Sequence, residues 1–290
     1  MRSEAAAPRR IAMKEGSMSD WPQSLTLVGA GKMGEAMLRG WLAAGFEPTR
    51  VVILEPAPSP PIRELAARLA MPLNPTRRAL RPPEVLFLAI KPQTLAAAAP
   101  DLAPLAGADA LVVSILAGKR IADLTARLPN ARAFVRAMPS TPAAVGRGAS
   151  AGFASPATSA RQRRWAQNLM RAVGQFDWLA EEALIDAVTA ISGSGPAYVF
   201  ALVEAMAEAG ETIGLSADLA MKLARATVEG AGELMHREPA VAAAKLREAV
   251  TSPGGTTAAA LAVLRAPDGL AALMTRAAAA ARRRAEELAG

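Results

Sequence analysis

The first two-thirds of the chain alternate short apolar runs with segments of helical spacing. Leu25–Val28 is an apolar run ending in glycine, the pattern of a strand buried on both faces. Residues 33–44 then place Met37, Leu38, Trp41 and Leu42 on one side of a helix, with Gly45 as its stop. Val51–Leu54 is a second buried strand and closes a strand-helix-strand unit. After a proline-rich turn, residues 62–69 have the spacing of a short helix. Residues 85–90 form the clearest strand and 111–115 another, with helices expected over 93–105 and 121–128. Residues 133–137, 149–153 and 175–179 are further candidate strands. This alternation predicts an α/β fold with an N-terminal Rossmann-type, doubly wound parallel sheet.

The pattern changes near residue 180. Beyond it the chain reads as helices, with few β-branched runs and only Tyr198 and Phe200 as aromatics. Pro196 suits the first turn of a long helix reaching residue 208, and Asp218 starts another to about residue 236. The expected boundary lies within residues 177–182. That gives a flexible extension over 1–22, a dinucleotide-binding domain over 23–180 and an all-helical C-terminal domain over 181–290. No internal repeat is visible.

Composition narrows the chemistry. Of 290 residues, 52% are hydrophobic and 20% charged, enough to bury a substantial core. The chain has no cysteine, which removes disulfides, thiolate catalysis and cysteine zinc sites and accords with a reducing cytoplasm. His236 is the sole histidine and no carboxylates cluster at ligand spacing, so a metal centre is not expected. The net charge is +7. Its basic excess sits in separated groups, Arg9-Arg10, Arg161 to Arg171 and Arg282-Arg283-Arg284, in which Trp165 is the one aromatic. Nucleic-acid binding would want one basic face with stacking aromatics, so a solvated basic surface is the expectation. Residues 1–20 lack the apolar stretch of a secretory signal, and Met13 or Met18 could serve as a start. No run of about 18 apolar residues free of charge occurs, so no membrane-spanning helix is expected.

Two segments carry chemistry. Val28-Gly29-Ala30-Gly31-Lys32-Met33-Gly34 has a glycine for a tight turn, one for close approach of a pyrophosphate and one for helix-strand packing. It follows a strand and opens a helix, whose free N–H groups would face the phosphates. Glu55 ends the second strand, where a carboxylate accepts hydrogen bonds from ribose hydroxyls and repels a 2′-phosphate, which favours NADH over NADPH. Ala89-Ile90-Lys91-Pro92 leaves the third strand at the sheet edge where cofactors bind in open α/β folds. Far along the chain, Thr251-Ser252-Pro253-Gly254-Gly255-Thr256-Thr257 offers hydroxyls, two glycines and backbone N–H groups. Such a loop can cradle a carboxylate, or simply turn between helices with Thr256 as a cap.

Taken in order, the motifs resemble the pyrroline-5-carboxylate reductases, the enzymes of the last step of proline biosynthesis. The match runs through Val28 to Gly34, Ala89 to Pro92, Ser114-Ile-Leu-Ala-Gly118 and Arg136-Ala-Met-Pro-Ser-Thr-Pro142. It continues through Asp186-Ala-Val-Thr-Ala-Ile-Ser-Gly-Ser-Gly-Pro-Ala-Tyr198 and Val250 to Thr257, and spans roughly residues 24–285. The resemblance implies a Rossmann domain followed by a helical domain that interleaves with a partner subunit, giving a homodimer often assembled into larger rings. It implies NAD(P)H as cofactor, with Ile115, Leu116 and Ala117 as a wall of the nicotinamide pocket. Ser252, Gly254, Gly255, Thr256 and Thr257 would surround the substrate carboxylate, with the hydroxyls as its ligands. Thr189 and Glu238 would face the ring nitrogen, and Glu182 would approach the substrate.

The implied reaction moves hydride from a reduced nicotinamide to the C=N carbon of pyrroline-5-carboxylate, giving L-proline. Nitrogen grows more basic as hydride arrives, so no strong protein acid is required. His236, near a helix end, reads as a surface cap, and Tyr198 as a packing residue. Two departures stand out. Ser140 occupies a position where the family usually has asparagine, which predicts altered cofactor positioning, and the stretch from Glu238 to Ser252 is slightly longer than usual. The alternatives are a reductase of a related small imine or 2-oxo acid, or an inactive nicotinamide-binding regulatory protein.

Overall fold

The apolar runs in the first half of the chain become buried strands, and most of the segments between strands become the helices that cover the resulting sheet. The computed structural model describes residues 21–289. These fall into two units, 21–193 together with 284–289, and Ser194–Arg283. Residues 1–20 of the expected extension lie outside the described residues. Trp21 packs on Phe46, ring centroids 5.1 Å apart.

The first unit runs β1 (Leu25–Val28), α1 (Lys32–Ala43), β2 (Val51–Leu54), α2 (Pro60–Arg68), β3 (Val85–Leu88) and α3 (Leu95–Leu102). It continues through β4 (Leu111–Ser114), α4 (Ile121–Arg127), β5 (Ala133–Met138), β6 (Gly148–Ala154), α5 (Ala160–Arg171), β7 (Gly174–Trp178) and α6 (Leu184–Val188). A π-helical turn, Thr189–Gly193, ends it. The strand order is β2-β1-β3-β4-β5-β6-β7. β1 to β5 are all parallel, and a single parallel bridge from Leu73 to Ile53 marks an outer edge beyond β2. Side chains alternate across the strands, so the sheet buries two cores. Leu27, Ile53, Phe87, Val113 and Val135 meet Met37, Trp41 and Leu169 on one face. Val28, Leu86, Leu88, Val112 and Phe134 meet Leu95, Leu102 and Leu124 on the other.

Three details depart from the sequence expectation. β6 runs antiparallel to β5, and β7 then runs parallel to β6, so the sheet is mixed at that end. β3 stops at Leu88, although Ala89 N–H still donates to the Val28 carbonyl at 2.7 Å. The helix expected over 93–105 is split into a 3-10 turn, Pro92–Thr94, and α3. Pro104 has no N–H to give the Pro100 carbonyl, so α3 cannot continue through it.

The second unit holds α7 (Gly195–Thr212), α8 (Ala217–Arg237), α9 (Ala243–Ala249), α10 (Thr256–Leu264) and residues 270–283 of α11 (Leu270–Ala289). α7 extends past residue 208 to Thr212 and is stopped by Gly214, whose φ of 104° suits glycine alone. α7 and α8 meet through small residues, with Ala207, Ala220 and Ala224 buried and Val203, Met206 and Leu215 against them. An added Cβ on Gly210 would lie 3.0 Å from that of Ala220. So small a core leaves large side chains in the open, among them Phe200 (64% exposed), Ile213 (82%) and Val263 (72%). Apolar exposure on this scale marks an interaction surface. Among the described residues one stretch, Leu184–Thr212, is long and apolar enough by length and composition to cross a membrane, although it carries Asp186, Glu204, Glu208 and Glu211. It is three elements rather than one helix, interrupted by the π-turn.

Candidate active site

The order β2-β1-β3 places a topological switch point between β1 and β3, the place where open α/β sheets bind nucleotides. Two loops leave the sheet there side by side. Gly29 has φ of 92°, and a Cβ on it would sit 2.7 Å from the Ala89 carbonyl, so the β1 loop can lie against the β3 loop only as glycine. Gly34 lies in α1 directly under Gly29, where a Cβ would overlap the Gly29 carbonyl oxygen. Gly31 is the N-cap of α1, and beyond its own chain neighbours no atom lies within 4 Å of where its Cβ would be. The first-turn N–H groups of α1 lack intrahelical acceptors and open onto this bare glycine. The three glycines thus separate into a turn, an open cradle and a packing contact, and this fits a pyrophosphate.

Glu55 follows β2 and lies beside the same loop. Its Oε2 accepts from Ala30 N–H at 2.8 Å and its Oε1 from Ala57 N–H at 3.1 Å. Asn74, in left-handed conformation with φ of 50°, holds the Glu55 backbone from both sides. Its Oδ1 accepts from Glu55 N–H and its Nδ2 donates to the Glu55 carbonyl, each at 2.8 Å. Sequence reading missed Asn74, since nothing near it marks a strand; the clamp depends on the Leu73 bridge to β2. Lys91 is exposed, and its carbonyl accepts from both the N–H and the hydroxyl of Thr94, which fixes the exit from β3. Ile115 is half-buried, Leu116 buried and Ala117 exposed in the loop after β4.

Glu182, expected near a substrate, points its carboxylate at protein groups. Oε1 accepts from Ile121 N–H at 2.8 Å, and Arg136 Nη1 stands 3.5 Å away. The other arm of Arg136 reaches Asp186 Oδ1 at 3.4 Å. Thr189 begins the π-turn, half-buried, its hydroxyl donating to the Ile185 carbonyl at 2.8 Å. Such turns recur at functional sites because they widen the helix locally. Ser140 is buried and its Oγ accepts from Ala149 N–H at 3.0 Å, so its hydroxyl serves the contact between the loop after β5 and β6.

In the second unit, Ser252–Thr257 form the turn into α10. Gly254 has φ of 70°, Gly255 is the N-cap, and its N–H donates to the Ser252 carbonyl at 3.1 Å. Thr256 and Thr257 therefore open α10, where backbone N–H groups lack helical acceptors. Thr256 is one residue inside the helix, not its cap. Gly255 sits so close to the Ser252 side chain that a Cβ would overlap its Oγ. Glu238 is exposed and caps the end of α8, after His236 and Arg237 in the last turn.

Residues 182–288 match the family model described as pyrroline-5-carboxylate reductase dimerisation, and 24–118 match the one described as NADP oxidoreductase, coenzyme F420-dependent. A pyrroline-5-carboxylate reductase of Pseudomonas aeruginosa is 40% identical over 91% of this chain and 96% of its own. The chain belongs to the pyrroline-5-carboxylate reductase family. The pyrroline-5-carboxylate reductase of Haemophilus influenzae is 37% identical over 83% of this chain and 89% of its own. Among solved structures, the pyrroline-5-carboxylate reductase of Coxiella burnetii superposes with a TM-score of 0.84 at 34% identity, covering 93% of this chain and 99% of that one. The Plasmodium falciparum pyrroline carboxylate reductase, solved with NADP bound, gives 0.73 at 25% identity, covering 92% and 98%. The family carries an NAD(P)-dependent Rossmann-like domain and a dimerisation domain, and both regions of this chain match.

Proposed function

We propose that this chain reduces 1-pyrroline-5-carboxylate to L-proline with a reduced nicotinamide dinucleotide. The observation that carries the reading is that a glycine cradle at the switch point of the sheet and the family's dimerisation region occur in one chain. A bound reduced nicotinamide supplies the hydride that the imine carbon accepts. Gly29, Gly31 and Gly34 hold the pyrophosphate, and Lys91-Pro92 and Ile115 to Ala117 bound the rest of the dinucleotide. Ser252, Thr256 and Thr257 donate to the substrate carboxylate, helped by the N–H groups that Gly254 and Gly255 leave accessible. The Thr189 hydroxyl and Glu238 carboxylate orient the ring nitrogen while water completes proton delivery. Glu182 holds the shape of the pocket through Ile121. The anionic Glu55 favours NADH over NADPH.

The assembly is a homodimer at least, with rings built from it as an extension, and the compartment is the cytoplasm. The apolar side chains left open on α7, α8 and α10 support the dimer. Sedimentation should give twice the chain mass or a larger multiple; a monomer at micromolar concentration would contradict it.

The deciding assay follows loss of nicotinamide absorbance with pyrroline-5-carboxylate, run with NADH and with NADPH. Turnover is expected with both. Absence of turnover in folded protein that binds nucleotide would remove the reading. Thr257→Ala should raise the substrate KM about tenfold, for a lost hydrogen bond to a charged group of ~1.5 kcal/mol, with little change in kcat. An unaltered KM would take Thr257 out of the site.

A further inference from the structure

Among the described residues of the first unit, Arg136 and Asp186 are the buried charged side chains, and Arg136 is the more enclosed, at 1% exposure on the interior strand β5. Its surroundings do not explain it as a source of stability. The two contacts, 3.5 Å to Glu182 and 3.4 Å to Asp186, exceed the 2.7–2.9 Å of strong charge-assisted bonds, and Nε has no partner. Enclosing a cation with incomplete partners costs more than an apolar side chain of the same volume would.

Its arms instead join three segments that sequence separates widely. β5 itself leads through Met138 to Ser140. The carboxylate of Glu182, 46 residues on, also takes the N–H of Ile121, the first residue of α4, with only Lys119 and Arg120 between it and the loop of Ile115 to Gly118. Asp186, 50 residues on, lies in α6 one turn before Thr189. Below the π-turn, the Met138 side chain and Thr189 Cγ2 lie 3.6 Å from where a Cβ on Gly193 would be, so the same strand also supports the turn by packing.

We propose that Arg136 is a positioning residue: through Glu182 and Asp186 it sets the loop that walls the nicotinamide against the Thr189 turn. The inference rests on the reading that residues 115–117 and Thr189 serve the reduction. A guanidinium suits the task because its planar fork holds two carboxylates at a fixed angle, which an ammonium cannot do.

Arg136→Lys keeps charge and bulk but loses the fork. Measured on full-length protein, with kcat expressed per nucleotide bound, it should lower kcat about tenfold, within the ~10²-fold cost of displacing reacting groups by an ångström. The NADH dissociation constant and the substrate KM should stay within about twofold. Emission from bound NADH should shift, because the nicotinamide wall moves. Asp186→Asn, which preserves shape, should give a smaller loss in the same direction and serves if the lysine variant does not fold. Folded variants with wild-type kcat and wild-type emission would overturn the proposal. So would losses of nucleotide affinity and melting temperature in step with activity, the mark of a merely structural role. If the wild type itself fails to turn over pyrroline-5-carboxylate, the functional reading falls, and the emission of bound NADH still decides the role of Arg136.

Discussion

Gly31→Ala and Gly34→Ala are expected to weaken nucleotide binding by up to ~10²-fold each, for different reasons that can be told apart. At Gly31 the backbone has φ of −67°, which alanine adopts freely, and the added methyl meets no protein atom. The variant should keep or slightly raise its melting temperature. Its loss of affinity, about 1–3 kcal/mol for steric intrusion, comes only from a ligand that must approach the bare backbone. At Gly34 the methyl overlaps the Gly29 carbonyl oxygen, so the loop or α1 has to shift and stability falls with binding. Calorimetric binding of NADH together with melting curves reads both effects. Full affinity in Gly31→Ala would mean that the open space at the N-cap is not a phosphate cradle.

The nucleotide half was legible because its chemistry is written in consecutive residues. A strand, three spaced glycines and an acid at the end of the next strand determine one another locally. The turn into α10 was legible as a turn for the same reason, since Ser252 to Thr257 carry its glycines and hydroxyls within six positions. What escaped depends on register between distant segments. Arg136 sits in an apolar run, and only the placement of α6 reveals which carboxylates face it. Asn74 looked like any loop residue until the Leu73 bridge set it across from Glu55. The reversal at β6 was hidden because a Gly-Ala-Ser-rich strand has the same pattern in either direction. The π-turn was hidden because it differs from an α-helix only in which carbonyl each N–H selects.

Replacing Glu55 should change the ratio of kcat/KM for NADH over NADPH by about 10²-fold in favour of NADPH. Two terms combine. Losing a charged acceptor for the ribose hydroxyls costs NADH ~1.5–3 kcal/mol, and removing a like charge relieves the 2′-phosphate of NADPH. Alanine is not the cleanest variant, because Glu55 also holds Ala30 N–H, and a loosened phosphate loop would penalise both cofactors. Glu55→Gln retains an oxygen for that bond while removing the charge, so agreement between the two variants in the ratio isolates the electrostatic part. The segment that follows offers a phosphate little in compensation. Pro56, Pro58, Pro60 and Pro61 have no N–H, the N–H of Ala57 is taken by Glu55 itself, and Arg63 is held at the Pro58 carbonyl at 2.5 Å. NADPH use should therefore rise more by relief of repulsion than by any new bond. Adding Arg63→Ala to Glu55→Gln should leave the NADPH gain nearly intact. If instead the gain disappears, Arg63 swings onto the 2′-phosphate once the acid is gone, and the preference is set by competition between the two side chains rather than by Glu55 alone.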